Sequence, residues 1–239
     1  MKRVKQNRRR WFQFLKGFLR LPFRKRKYIF LGEKPEDKSL IFSNHVYASS
    51  PLFHELYAPF KLRFWGTYEM DKSLKSNFQY LSSTYLHIVK KINIILAKIV
   101  GFIICPFIKW FYNGVKIIPT HTDYNFLRTL KLTEKSLNEG ENIVIFPEDL
   151  SQGCPDVLTH YYCGGFYAAD KYCSKFKCDL KIFNCYYVKK IRTFIIDTAI
   201  LFSELKKEFD TNYQAMADKF CARANEIGEL FRPKPRKTN

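Results

Sequence analysis

Apolar positions along the chain follow two rhythms. Short apolar-rich segments at 40–42, 61–65, 114–118, 142–146, 180–187 and 193–201 predict strands. Elsewhere apolar residues recur every three or four positions. Phe126, Leu130 and Leu137 mark a helix over 126–137 that Gly140 stops, and Tyr213, Met216, Phe220, Ala224 and Ile227 mark a closing helix over 212–231. Strands alternating with helices through the middle of the chain predict one α/β domain, a central mixed sheet flanked by helices.

The first residues carry a different pattern. Between a dense set of cations that includes Arg8, Arg9 and Arg10, the residues Trp11, Phe14, Leu15, Phe18 and Leu19 fall at helical spacing before Pro22, and no acidic residue precedes Glu33. An aromatic stripe opposite a basic face predicts an N-terminal amphipathic helix lying at a membrane surface, with Trp11, Phe14 and Phe18 in the interface and the arginines on headgroups. A nucleic-acid arm explains the arginines but not the stripe; a core helix explains the stripe but not the cations. Residues 1–30 are therefore read as a basic membrane-anchoring segment, 31–231 as the α/β domain and 232–239 as a basic tail.

The apolar stretch 92–112 has the length of a transmembrane helix. Asn93, Lys98, Lys109 and Pro106 oppose that reading, because each is costly or disruptive inside a bilayer. The preferred expectation is a helix packed on the domain with one face towards lipid and both lysines reaching up to the headgroups.

Composition narrows the partners. With 239 residues, 46% of them hydrophobic and 17% aromatic, the chain can bury a full core and is not disordered. A formal net charge of +19 calls for an anionic partner, either nucleic acid or anionic lipid. Seven cysteines without a CxxC pair predict reduced thiols in a cytosolic setting and no metal site. Neither a continuous apolar leader core nor a small-residue cleavage site is seen near Met1, so no secretory leader is expected.

Residues 40–52, LIFSNHVYASSPL, carry the candidate chemistry. The apolar run ends in Ser43 and Asn44, which places His45 just past a strand end, where α/β sheets hold their reactive groups. A histidine there is either a general base near neutral pH or a residue that satisfies a loop.

Four stretches then fall in order: NHVYASSP at 44–51, GVKIIPT at 114–120, IVIFPEDLSQG at 143–153 and YYCGGFYAA at 161–169. Together they resemble the four blocks of the glycerolipid acyltransferase family, which includes 1-acylglycerol-3-phosphate acyltransferase, and the resemblance covers most of residues 37–190. It implies an α/β domain held at a membrane through N-terminal helices. It also implies transfer of an acyl group from acyl-CoA or acyl carrier protein to a lysolipid or glycerolipid hydroxyl, with no bound cofactor. His45 matches the histidine of the family's NHxxxxD block, and Ser50 stands where that block has Asp. Thr120 takes the place of an arginine in the second block. In the third, Pro147 and Glu148 match, whereas Asp149 replaces a glycine and Ser151 an arginine.

By this resemblance His45, Asp149 and Glu148 are the candidate catalytic residues, with Asp149 as the carboxylate that Ser50 does not supply. The alternative for Asp149 is a turn cap after Pro147. Asn44, Ser50, Thr120, Arg128 and Pro147 are the candidate substrate-binding residues, and Arg128 or Lys131 would have to meet any acceptor phosphate. Two functions follow. One is an acyltransferase on the cytoplasmic face of a membrane, peripheral or monotopic, with an anionic surface, a lipid acceptor and acyl carrier protein as partners. The other is a lipid-binding relative that kept the fold without the chemistry. Nucleic-acid binding is set aside, because it leaves the ordered blocks unexplained.

Overall fold

A computed structural model of the chain describes residues 6–46, 49–68, 73–121, 123–148 and 155–233. Its centre is an eight-stranded mixed sheet built from β1 (Lys27–Phe30), β2 (Ser39–Ser43), β3 (Leu62–Thr67), β4 (Ile118–Thr120), β5 (Asn142–Ile145), β6 (Lys181–Val188), β7 (Thr193–Ile196) and β8 (Ile200–Leu201). The strand order is β1-β7-β6-β2-β5-β3-β4, with β8 paired to β6. Strands β6, β2, β5, β3 and β4 run parallel; β7 and β8 are antiparallel to β6.

Side chains of a strand alternate between faces, so the middle strands fill two cores at once. Leu40, Phe42, Ile143 and Ile145 belong to one core, where they meet Phe166 and Phe220. Ile41 and Val144 belong to the other, with Phe53, Phe183 and Phe194. The first face is covered by α5 (Phe126–Asn138), α6 (Gly164–Phe176), α7 (Phe202–Phe209) and α8 (Tyr213–Phe231), the second by α1 (Arg10–Leu19) and α2 (Ser49–Tyr57). At the start of α6, a Cβ on Gly165 would lie 2.6 Å from Cζ of Phe42, and the Phe42 and Phe166 rings stack at 4.4 Å. Only a glycine lets the helix approach the sheet this closely.

Between β3 and β4 the chain forms a helical hairpin. Its first arm is α3 (Leu74–Gln79) continued by the π-helical segment Tyr80–Val89; its second arm is α4 (Ile94–Val115). The arms share a small core of their own, Leu81, Leu86, Ala97 and Cys105.

Three expectations shift. The run 114–118 is not a strand: α4 continues to Val115, Lys116 adopts a left-handed φ of 56° as its cap, and pairing begins only at Ile118. The run 193–201 divides into β7 and β8, and just past β7 the Asp197 N–H still donates to the Asn184 carbonyl of β6 at 2.8 Å while its carboxylate pairs with Arg223 at 2.6 Å. The sheet also begins within the segment read as an anchor, since β1 pairs along β7.

Candidate active site

Strands β2, β5, β3 and β4 are mutually parallel, so their last residues line one edge of the sheet. At that edge β2 passes into Asn44. The Asn44 amide oxygen accepts from the Tyr187 backbone N–H at 2.6 Å, and its own backbone N–H donates to the Cys185 carbonyl. These bonds extend the pairing to β6 by one residue and aim the chain out of the sheet. Asn44 is buried, and its side chain holds backbone where substrate contact was expected.

His45 follows. Its backbone N–H donates to Oε1 of Glu148 at 2.6 Å, which joins the ends of neighbouring strands β2 and β5 across 103 residues of sequence. The imidazole stands edge-on to Phe146, with ring centroids 5.0 Å apart. Its Nδ1 is enclosed without a hydrogen-bond partner among the described residues. Burial pushes the ring down to about 4, so at neutral pH it is uncharged and has a lone pair to offer. Burial likewise pushes the Glu148 carboxyl up to about 8, against the opposing pull of the His45 N–H. At pH 7 most of this carboxyl is protonated and can donate as well as accept. The carboxyl touches the His45 backbone, so the two groups share the sheet edge through the main chain, with the imidazole left as the neutral base.

Pro147 and Glu148 are held from the other side. The Pro147 carbonyl accepts from the Tyr162 N–H at 2.8 Å, and Glu148 forms an isolated antiparallel bridge with Tyr161. The Tyr161 hydroxyl is buried without a partner among the described residues, and burial raises it well above its ordinary value. Ser50 is fully buried in α2, where its Oγ accepts from the Val46 N–H at 3.0 Å. It therefore holds the backbone of Val46, next to His45. Asp149 and Ser151 lie outside the described residues.

Thr120 ends β4, three strands from β2 and hence about 14 Å from the His45 end of the site. Its Oγ1 is enclosed and has no partner among the described residues. Beside it the His121 ring stacks on Tyr68 at 4.9 Å. Arg128 is exposed on α5. The structure thus brings His45, Pro147 and Glu148 together and sets Thr120 at the far end of the same edge. Comparison with protein-family models, with curated proteins and with solved structures found no match.

One buried group beneath the site has no counterpart in the sequence reading. His54 of α2 is fully buried, with Nδ1 3.0 Å from the Tyr28 hydroxyl and Nε2 3.2 Å from Ser43 Oγ. Burial pushes it down to about 3, so it is neutral and braces the last residue of β2. The sequence hint is the polar pair His54–Glu55 set between the apolar Phe53 and Leu56 of α2.

The residues expected at a membrane divide. Arg8 is an internal cation: its guanidinium lies 2.9 Å from Glu55 Oε2 and donates to the Leu62 carbonyl at 2.8 Å. Glu55 also receives Lys16 at 2.6 Å, so the carboxylate serves two buried cations. This corrects the outward placement of Arg8, since an ion buried against its counter-charge is not available to a headgroup. Trp11 is half-buried and stacks on Trp110 of α4 at 4.5 Å. Phe14 (73% exposed) and Phe18 (56%) face outward, as do Arg9 and Arg10. Among the described residues, no group of three His, Cys, Asp or Glu side chains is placed to share a metal ion.

Proposed function

We propose that the protein is a membrane-associated acyltransferase that moves a fatty acyl group from an acyl-CoA or acyl carrier protein thioester to the hydroxyl of a lysophospholipid or glycerolipid. The observation that carries this reading is the meeting of His45 and Glu148, from two distant blocks, at one parallel-sheet edge through a 2.6 Å bond. The neutral imidazole takes the acceptor hydroxyl's proton as its oxygen attacks the thioester carbonyl. The tetrahedral intermediate then collapses, the C–O bond is kept, the C–S bond breaks, and the thiolate leaves with the proton returned by the imidazolium. Glu148 holds the His45 backbone in place, and Asp149 is the proposed partner for the ring. The exposed Phe14, Phe18, Arg9 and Arg10 support contact of the N-terminal helix with an anionic membrane at its cytoplasmic face.

The test is purified protein with acyl-CoA, acyl carrier protein thioester and a panel of lysolipids. Transfer should vanish in His45→Ala and fall by orders of magnitude in Asp149→Asn, by about 10⁴ if the carboxylate acts as in comparable triads. Full activity of His45→Ala would refute the mechanism. One observation favours a second reading, a lipid-binding relative without catalysis: His45 Nδ1 has no partner among the described residues, and Ser50 is engaged by Val46. That reading stands if lysolipid binds and no acceptor is acylated.

A further inference from the structure

The hairpin between β3 and β4 has two unlike outer surfaces. On α4 the residues Ile95, Ile99, Phe102, Ile103, Phe107 and Trp110 recur every three or four positions and are all exposed, Phe102 at 77% and Phe107 at 69%. The opposite side of the same helix, with Ala97, Gly101 and Cys105, is buried against the first arm. Cys105 Sγ reaches the Leu74 carbonyl at 3.6 Å, and a Cβ on Gly101 would lie 3.1 Å from Cβ of Ser82, so the arms pack closely. The outer surface of the first arm is polar. Lys75, Gln79, Ser83, Thr84 and His87 are exposed there, and among the described residues its exposed large apolar side chains are Leu74 and Ile88, at its ends.

α4 is the one described helix long and apolar enough to cross a membrane. A pair of spanning helices meets lipid on all sides, and the polar face of the first arm has no place there. An in-plane hairpin puts each surface in its own solvent. On α4, the exposed Lys98 falls on one flank of the apolar stripe, where a long side chain reaches headgroups. Trp110, at the stripe's end, stacks on Trp11 and so joins the stripe to the exposed Phe14 and Phe18 of α1. A second copy of this chain is a poor occupant, because each copy carries a formal charge of +19 and facing copies repel. An anionic lipid surface complements both the charge and the stripe.

We propose that residues 74–115 form a monotopic element lying in the plane of one leaflet of an anionic bilayer, with the apolar face of α4 among the acyl chains and the first arm roofing it towards water. This inference rests on the membrane half of the function proposed above and is independent of its chemistry.

The test uses the full chain and vesicles of phosphatidylcholine with phosphatidylglycerol, without an acyl donor. Phe102→Asp with Phe107→Asp should weaken flotation with vesicles by about a hundredfold or more, since each large apolar side chain buried strengthens partition about tenfold or more. Leu230→Asp, an equally exposed position on α8, should bind as the wild type does. In the wild type, lipid brominated in the acyl chains should quench tryptophan emission, and Trp110→Phe should remove part of that quenching. When bound, Lys90 and Lys91 should stay reactive towards a membrane-impermeant amine reagent added outside. Wild-type flotation of the double variant, or absence of quenching, overturns the proposal, and protection of both lysines overturns the in-plane placement. A dimer-to-monomer change in the double variant without vesicles assigns the face to a second copy instead. Failure here leaves acyl transfer testable on detergent-dispersed substrate, and an inactive protein that still floats leaves this inference intact.

Discussion

Replacing Glu148 by Gln isolates the consequence of burying a carboxyl at the sheet edge. The folded protein holds this proton up to about pH 8, whereas the unfolded chain releases it near the ordinary 4.5. Between those values the native state binds more protons than the unfolded one, so raising the pH must lower stability, by up to about 1.4 kcal/mol per pH unit. The full displacement amounts to about 5 kcal/mol. Because the carboxyl keeps some contact with solvent, a loss of roughly 2–4 kcal/mol is expected. Gln has no proton to lose, and its amide oxygen can still accept from the His45 N–H. Urea unfolding at a series of pH values should therefore show little difference between the two proteins near pH 4.5, a widening advantage for Glu148→Gln as the pH rises, and a constant gap above about pH 8. Glu148→Ala should behave differently and cost about 1–3 kcal/mol even at pH 5, because it leaves the His45 N–H unpaired. Parallel stability curves for wild type and Glu148→Gln from pH 5 to 9 would refute the assignment of a neutral carboxyl at this position.

Three further outcomes follow from the packing. Glu55→Ala strands Arg8 and Lys16 in a buried site and should destabilise the protein by about 3–5 kcal/mol in denaturant titration, more than removal of any exposed ion pair such as Lys219 with Glu208. His54 and His45 are held neutral, with values near 3 and 4 against an ordinary 6.5, so their contribution is complete above pH 6.5 and declines as the pH falls towards 4 and 3. His54→Gln should accordingly flatten the acid limb of the stability profile relative to wild type, and an unchanged limb would count against the buried neutral imidazole. Gly165→Ala places a methyl 2.6 Å from Phe42 and should cost about 1–3 kcal/mol, read as a lowered melting temperature.

Periodicity alone determined much of the frame. The runs at 40–42 and 142–146, the helices over 126–137 and 212–231, the α/β class and the position of His45 past a strand end were all legible, because strand alternation, helical spacing and cap chemistry act within a few residues of chain. What partners meet across the sheet was not. Asn44 reads as a polar residue beside a reactive histidine, yet it closes the ladder to Tyr187, 143 residues away. Arg8 reads as one surface cation among many, yet Glu55 and the carbonyl of Leu62 draw it inside. His54 reads as one polar residue beside Glu55, yet Tyr28 and Ser43 meet its two ring nitrogens. Even α4 overran the expected strand at 114–118, since its end is set by the left-handed turn at Lys116 and by where β3 accepts a neighbour. Local sequence decides what a segment can become; pairing between segments far apart decides whether a charge is buried, which side chain is diverted to backbone, and which face of a helix is left to meet a different solvent.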